Sequence, residues 1–257
     1  MNLNLSNKVV IVTGGAKGIG EGIVKALAAE NAIPVIVGRN EEDNLKTLKS
    51  INNKGFQVVA ELTKPGECEN AVKKIVEQFN RIDGLVNNAG LNDGVGLENG
   101  NYEEFIASLH KNLVHYYMMA HHALPYLKQS RGAIVNIGSK TAETGQGNTS
   151  AYAASNGGRN ALTREWAVEL LKYKIRVNSL IVAECWTPQY AWWINNQADA
   201  EEKLKSITAK IPLENRMTTA EEIANMAIFL LSEKSSHTTG QIIHVDGGYV
   251  HLDRAIT

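Results

Sequence analysis

The 257-residue sequence lacks the features of membrane-spanning and disulfide-stabilised proteins. No stretch reaches the roughly 18 uncharged apolar residues that a membrane span needs, and the first residues do not show the charged and then apolar pattern of a signal peptide. The two cysteines, Cys68 and Cys185, form no Cys-x-x-Cys pair, which favours buried thiols in a reducing compartment over disulfides. We therefore expect a cytoplasmic protein with no membrane partner.

The sequence also lacks an excess of charge of either sign. It has 26 lysines and arginines against 27 acidic residues, so its formal net charge is -1. Such a chain has no basic field to attract nucleic acid, which argues against that class of partner. Because 44% of its residues are apolar, it can bury one large core. We expect a single domain over residues 1–257 that binds a small molecule.

A glycine-rich turn follows the first strand-like run of the chain. Residues 8–13 form a short apolar run, and the residues that follow are Gly14-Gly15-Ala16-Lys17-Gly18-Ile19-Gly20. Apolar residues then recur at helical spacing, and a second strand at residues 33–37 follows at the distance of a βαβ unit. Glycines let the backbone approach a pyrophosphate, and the start of a helix offers free N–H groups to it. The pattern predicts a dinucleotide site, which we favour over a simple tight turn.

The end of the second strand indicates which dinucleotide is bound. An NAD-selective fold usually carries an acidic residue there for the ribose 2′-hydroxyl, whereas this chain has Gly38-Arg39-Asn40. Gly38 leaves room, and Arg39 can pair with a 2′-phosphate. We therefore predict NADP, and keep NAD as the alternative because one solvated arginine at the start of a helix would look the same.

Strand and helix patterns alternate along the rest of the chain. Short apolar runs predict strands at residues 56–60, 85–86, 133–137, 175–180 and 241–245. Helical patterns cover 67–79, 102–128 and 220–231, and a further one carries Tyr152 and Asn156 and continues to about residue 173. Runs that are apolar on both sides are typical of parallel strands covered on both faces. We predict an α/β fold: a doubly wound parallel sheet of about seven strands with helices on both faces.

The helix at 102–128 carries four histidines, at positions 110, 115, 121 and 122. No two are four residues apart, so we expect no metal site and place these histidines at the surface or a subunit contact. Asn112, near the middle of this helix, is either exposed or functional.

A serine and a tyrosine follow the strand at 133–137. Ser139 and Tyr152 converge at the carboxyl edge of the predicted sheet, where such sheets place their chemistry. A phenol that acts as a base near neutral pH needs a nearby positive charge, because it ordinarily keeps its proton to about pH 10. Asn156, one helical turn after Tyr152, has none. Lys140 and Arg159 are candidate substitutes, but neither occupies the required turn: Arg159 lies ~10 Å along the helix axis from Tyr152, and its guanidinium cannot relay a proton. The sequence therefore predicts weak activity that Asn156→Lys would raise.

Residues 183–212, between a strand and the last helix, are rich in tryptophan and predict a substrate lid. The alternative for the tryptophans is packing of this segment on the body of the protein. Lys140, Glu143, Glu184 and Trp192 together suit a sugar, since hydroxyl groups need charged partners and sugar C–H faces need aromatic ones.

Nearly the whole chain resembles the short-chain dehydrogenase/reductase family. The motifs that carry the resemblance are, in order, the glycine pattern of residues 13–20, Asn87-Asn88-Ala89-Gly90, Asn112, Ser139 and Tyr152. The resemblance implies a single-domain Rossmann fold, a nicotinamide cofactor and a homotetramer. It implies that Tyr152 is the general base, that Ser139 holds the substrate oxygen, and that Asn112 anchors a water of the proton relay. The cofactor residues that it implies are Gly14, Lys17, Gly18, Ile19, Gly20, Arg39, Glu61, Leu62, Asn88, Ala89, Gly90, Tyr152, Asn156, Val182 and Thr187.

The chain departs from the family pattern at three places. The usual lysine after the tyrosine is Asn156, the usual Pro-Gly before the lid is Val182-Ala183, and the usual aspartate after the third strand is Glu61. The lysine position affects catalysis most, because in the family that residue holds the nicotinamide ribose and charges the tyrosine.

Within the family, residues 139–141, 183–188 with Trp192, and the tail 249–257 resemble L-fucose dehydrogenases, which oxidise the anomeric hydroxyl of the sugar to a lactone. The resemblance implies that Lys140, Glu143, Glu184 and Trp192 contact the substrate. The alternatives are a dehydrogenase of another polyol or secondary alcohol, and a non-catalytic NADP-binding sensor, which Asn156 keeps open.

Overall fold

Seven parallel strands form one sheet in the structure, a computed structural model that describes residues 2–253. The strands are β1 Val9–Thr13, β2 Ile33–Gly38, β3 Phe56–Val59, β4 Gly84–Asn87, β5 Ala133–Ser139, β6 Arg176–Val182 and β7 Ile242–Val245, in the order β3-β2-β1-β4-β5-β6-β7. The predicted doubly wound parallel sheet is confirmed, and each predicted strand lies within two residues of its observed bounds.

The strand sequences explain why both faces of the sheet are covered. In β1, Val10 and Val12 belong to a core that contains residues of the first and last helices. Val9 and Ile11, which point to the opposite face, belong to a second core with helices from the middle of the chain. Because every residue of β1 is buried, this strand has no polar face, as expected for the centre of a parallel sheet.

Helices connect the strands on both faces. They are α1 Gly18–Ala29, α2 Glu41–Ser50, α3 Pro65–Phe79, α4 Tyr102–Leu109, α5 His115–Ser130, α6 Ser150–Glu169, α7 Pro188–Asn195, α8 Ala200–Thr208 and α9 Ala220–Leu231. The predicted helix at 102–128 is interrupted by a π-helical turn, His110–Val114, between α4 and α5. Within residues 2–253, no helix is long and apolar enough to cross a membrane.

One sequence expectation is wrong at this level, and part of another lies outside the described residues. His115 was expected at the surface, but it is buried against the ring of Tyr116, because the π turn shifts the helix register at that point. The tail that contributed to the resemblance to L-fucose dehydrogenases is described only to Asp253, so residues 254–257 lie outside the described part.

The strand order reverses beside β1, which pairs with β2 on one side and β4 on the other. In open α/β sheets such a reversal leaves a crevice at the carboxyl ends of the strands, where ligands bind. The loops that follow β1, β4, β5 and β6 meet at this edge. They carry most of the residues singled out from the sequence.

Candidate active site

The glycine turn lies at the carboxyl end of β1. Gly14 and Gly18 have φ angles of +63° and +56°, which favour glycine. A Cβ on Gly20 would lie 2.2 Å from the Gly14 carbonyl oxygen, so this glycine is what lets α1 pack against the turn. Lys17 and Ile19 flank Gly18, where α1 begins, so the free N–H groups of the first turn of this helix belong to the glycine turn.

A threonine that the sequence did not single out as a site residue joins this turn to the loop after β4. The Thr13 hydroxyl accepts hydrogen bonds from the backbone N–H groups of Asn88 and Ala89, at 2.8 and 3.1 Å. The Asn88 amide in turn donates to the Thr13 carbonyl at 2.9 Å. These bonds hold the Asn88-Ala89-Gly90 segment beside the glycine turn, so the two motifs form one wall of the crevice.

The end of β2 places Arg39 at the same edge. Arg39 is exposed and makes no hydrogen bond or ion pair within the described residues. The room expected beside Gly38 is taken by the buried side chain of Asn44, whose amide donates to the Gly38 carbonyl at 3.2 Å, and a Cβ on Gly38 would lie 2.6 Å from Asn44 Oδ1. Lys17 pairs with Asp43 at 2.6 Å.

Other predicted cofactor residues line the two sides of the crevice. Glu61 and Leu62 follow β3, and the Glu61 carboxylate accepts a hydrogen bond from the Thr63 hydroxyl at 3.0 Å. Val182 ends β6 beside Ser139 of β5. Thr187 caps α7, and its side chain would lie 3.3 Å from a Cβ placed on Gly18, so the start of the predicted lid lies against the glycine turn.

Asn112 lies in the π turn and is fully buried. Its side chain joins the loop after β4 by two hydrogen bonds: Oδ1 accepts from the Leu91 N–H at 2.8 Å, and Nδ2 donates to the Leu91 carbonyl at 2.9 Å. A π turn changes the backbone pairing around it, and here the Asn112 carbonyl accepts a bond from a side chain of α6. Of the two sequence readings of Asn112, exposure is therefore wrong.

Ser139 ends β5, and Tyr152 lies in the first turn of α6. The Ser139 hydroxyl accepts a hydrogen bond from the Thr141 N–H at 3.3 Å, and the Tyr152 hydroxyl makes no hydrogen bond in the described part of the chain. Asn156 is fully buried, and its Nδ2 donates to the Tyr152 carbonyl at 2.9 Å. The amide of Asn156 is thus directed into the protein, with its oxygen towards Arg159.

Arg159 lies closer to Tyr152 than the sequence predicted. Its guanidinium carbon is 6.0 Å from the Tyr152 ring centre, and its Nη1 donates to Asn156 Oδ1 at 3.0 Å. The ~10 Å along the helix axis separates the two backbone positions. The guanidinium lies nearer because helical side chains lean towards the N-terminus and an arginine is long enough to span the intervening turn. The structure therefore brings a cation to the Tyr152–Asn156 pair.

The charge of Arg159 affects the groups around it. Burial and Arg159 lower the pKa of His115 to about 4, so this histidine is neutral at neutral pH. Burial raises the pKa of Tyr116 to about 12 although Arg159 acts in the opposite direction. The Tyr116 hydroxyl donates to the Ile137 carbonyl at 2.9 Å, and its ring lies 4.2 Å from the guanidinium carbon.

Lys140 and Glu184, two of the predicted substrate residues, form a buried ion pair at the mouth of the crevice. The other Glu184 oxygen accepts a hydrogen bond from the Tyr190 hydroxyl at 2.6 Å. The pKa of Tyr190 is raised, mainly by burial and also by this hydrogen bond. The Lys140 ammonium also lies 4.2 Å above the Tyr249 ring. Trp192 is 68% exposed on α7 and is not part of this cluster.

Glu143 lies in a different group from Lys140 and Glu184. Its carboxylate is 3.1 Å from His244 Nε2, and the rings of His244 and His251 are 4.2 Å apart. One ligand atom from each of the three lies within 4.8 Å of the others. The sequence argument against a metal considered only the histidines of the long helix, so it did not reach this group.

Comparison with known proteins finds relatives over nearly the whole chain. A family model described as Enoyl-(Acyl carrier protein) reductase matches residues 14–250. The chain is 34% identical to a 3-oxoacyl-(acyl-carrier-protein) reductase FabG of Thermotoga maritima, covering 96% of this chain and 100% of that protein. It is 32% identical to an L-fucose dehydrogenase of Bos taurus, covering 96% and 91%. A crystal structure of Cj0485 dehydrogenase is 47% identical, covers 99% of this chain and 98% of its own, and superposes with a TM-score of 0.95.

Proposed function

This chain belongs to the short-chain dehydrogenase/reductase family, and on that premise we propose that it is an NADP-dependent oxidoreductase that removes hydride from a sugar hydroxyl. The observation that carries the proposal is the buried Lys140–Glu184 pair with the Tyr190 hydroxyl beside it, next to Ser139. A lysine, a carboxylate and a phenol keep donors and acceptors for substrate hydroxyls after pairing with each other.

The names of the similar proteins point to two substrate classes, acyl thioesters and a sugar. The charged pair favours the sugar. An acyl chain gains binding energy from aliphatic walls, and it would bury the Lys140–Glu184 pair without offering hydrogen bonds to the donors and acceptors that the pair leaves free. Trp186, just before α7, and Trp193 both contact the ring of Tyr190, and such rings offer the apolar faces that sugar C–H groups need.

The crevice fits a nicotinamide dinucleotide. Its pyrophosphate suits the glycine turn, where Gly14 and Gly18 adopt positive φ angles and α1 begins. Arg39, exposed and unpaired within residues 2–253, supports the choice of NADP over NAD because it can pair with a 2′-phosphate. When bound, such a cofactor supplies the acceptor for the hydride.

The residues at the strand ends have the following roles. Ser139 donates a hydrogen bond to the reacting hydroxyl oxygen and orients it. Tyr152 takes the hydroxyl proton as general base. Hydride leaves the carbon that carries this hydroxyl for the nicotinamide acceptor, and a C=O bond forms, so an anomeric hydroxyl yields a lactone. Asn112 holds the Leu91 segment in place, and the lid at 183–212 excludes water from the crevice. We also propose a homotetramer, following the family.

A substrate panel tests the proposal. L-fucose, L-galactose and D-arabinose are assayed with NADP, beside aliphatic secondary alcohols, and an acetoacetyl thioester is assayed in the reverse direction with NADPH. We expect turnover of at least one sugar above that of every other class, and loss of that turnover in Tyr152→Phe. A higher kcat/KM for the thioester or the aliphatic alcohols overturns the sugar assignment. Tight NADP binding without turnover of any compound favours the non-catalytic sensor.

A further inference from the structure

We propose that Arg159 provides the positive charge that this site needs beside Tyr152, with Asn156 as its hydrogen-bonded partner. The arginine is then an electrostatic positioning residue, and the asparagine at 156 does not mark a disabled enzyme. This inference rests on the proposed function in taking Tyr152 as the general base. Its starting observations are the 6.0 Å separation of the guanidinium carbon from the Tyr152 ring centre and the 3.0 Å bond from Nη1 to Asn156 Oδ1.

Every hydrogen-bond partner of Arg159 in the described part of the chain is uncharged. Nε donates to the Asn112 carbonyl at 2.7 Å, and Nη1 donates to the Ile137 carbonyl at 3.0 Å and to Asn156. Nη2 is buried and has no partner there, and no ion pair involves this arginine. Arg159 is only 3% exposed. A buried cation with neutral partners is costly, so it favours a negative charge on a neighbouring group.

Three titratable groups face the guanidinium: Tyr116 and His115 from α5, and Tyr152 from α6. The π turn, β5 and the Gly90 loop contribute only backbone or amide groups. His115 cannot become an anion. Tyr116 is fully buried, and its hydroxyl donates a hydrogen bond to the Ile137 carbonyl. Tyr152 is half-buried at the mouth of the crevice and makes no such bond, so it is the group that the cation assists.

The buried space around positions 156 and 159 has room for only one positively charged side chain. Asn156 is fully buried, with its oxygen 3.0 Å from Nη1, so a lysine there would bring an ammonium against the guanidinium. Two unit charges ~4 Å apart repel by ~4 kcal/mol at an effective dielectric of ~20. The site therefore accommodates one cation, which here comes from position 159.

The same geometry bears on the proton relay. The resemblance assigns a relay water to Asn112, whose carbonyl accepts a hydrogen bond from Arg159 Nε at 2.7 Å. Because a carbonyl oxygen has two lone pairs, a water bound there would share this oxygen with the guanidinium.

The decisive experiment titrates tyrosinate absorbance in the protein without cofactor or substrate, so it does not depend on the proposed reaction. The step that disappears in Tyr152→Phe is assigned to Tyr152. We expect Arg159→Met to move this step to higher pH by at least ~1 unit, as the loss of one nearby charge predicts. The matched control is Arg176→Met, which removes a part-buried arginine bound to the Leu230 carbonyl of α9 and to the Ser232 carbonyl just after it, and it should leave the step in place.

Activity gives a second readout. We expect Arg159→Met to lower kcat at neutral pH by at least ~10-fold and to recover it at alkaline pH, as for a base that ionises later. Asn156→Lys alone should not raise kcat, whereas Asn156→Lys combined with Arg159→Met should restore it. An unmoved tyrosine step in Arg159→Met, or a ~100-fold gain from Asn156→Lys alone, overturns the proposal. If Arg159→Met does not fold, Asn156→Lys alone, which keeps Arg159, decides the question: an unchanged or lower kcat supports the proposal, and a ~100-fold gain overturns it. A chain that turns over no sugar yet shows the tyrosine shift would refute the proposed function and leave this inference standing.

Discussion

The Lys140 ammonium and the Glu184 carboxylate form an ion pair although 44 residues separate them in the sequence. Lys140 follows β5 and Glu184 follows β6, so the pair joins the ends of two neighbouring strands at the mouth of the crevice. Each residue is 9% exposed, and each therefore depends on the other for compensation of its charge.

Breaking this pair should separate stability from substrate binding. Glu184→Leu leaves Lys140 as a desolvated charge and should lower the free energy of unfolding by ~3 kcal/mol. Lys140→Met combined with Glu184→Leu removes both charges, so it should regain most of that stability while the KM for a sugar stays raised. Urea denaturation and steady-state kinetics measure the two effects. A double variant with an unchanged KM would show that the pair is structural only.

Arg39→Asp should invert the cofactor preference. A charge-assisted contact with a 2′-phosphate contributes ~1.5–3 kcal/mol, so the ratio of NADP to NAD affinity should fall by ~10- to 100-fold or more. Lys46→Asp, which makes the same change of charge at an exposed position of α2, controls for the general field. Fluorescence titration with both cofactors measures the ratio. An equal change of the affinity ratio in the two variants would show that Arg39 does not contact the 2′-phosphate.

Gly20→Ala should abolish dinucleotide binding. The new Cβ would lie 2.2 Å from the Gly14 carbonyl oxygen and 2.7 Å from Asn88 Nδ2, so α1 must move away from the turn. Gly66→Ala in α3 meets nothing within 4 Å and is the matched control, which should bind normally. Calorimetric titration compares the two variants. Retained affinity in Gly20→Ala would place the pyrophosphate elsewhere.

Glu222 makes part of the stability depend on pH. Hydrogen bonds from Arg216 and from the Thr219 N–H lower the pKa of Glu222 to about 2. Since the pKa is lower in the folded state, this contribution is present above the ordinary carboxyl range and is lost as the pH falls from about 4.5 towards 2. The side chain is 39% exposed, so the effect should stay below ~1 kcal/mol.

The comparison of Glu222→Gln with Glu221→Gln tests this assignment. Glu221 is an exposed neighbour in the first turn of α9, so its substitution changes the charge equally without removing the capping box. Urea denaturation between pH 3 and pH 7 should show a weaker pH dependence only in Glu222→Gln. The same loss in both variants would assign the effect to charge alone.

The sheet was predictable because its strands are short apolar runs, of which the central β1 is buried on both faces, and α9 was predicted with its observed bounds. Its Thr219–Glu222 capping box explains that agreement. The position of Arg159 was not predictable from spacing along a helix axis. It depends on the direction of a long side chain and on the Asn112 and Ile137 carbonyls, which come from other elements.

Two further contacts were not predicted, because they also depend on elements that are distant in the sequence. Thr13 reads as the last residue of a strand, and only the packing of β1 beside β4 brings its hydroxyl to Asn88 and Ala89. His251 reads as part of an irregular tail, and the turn capped by Asp246 returns it to His244. Patterns along the chain predict elements, whereas contacts between distant elements need the fold.

The pairing of β1 with β4 also has a consequence for how the chain folds. Val10 lies beside Gly84 in this pairing, so a loop of more than 70 residues must close before the two halves of the sheet join, which is slow compared with local helix formation. The wall built by Thr13 and Asn88 exists only after that step. A bound dinucleotide can therefore stabilise the completed sheet but not the earlier half-sheets, and it should slow unfolding more than it speeds folding.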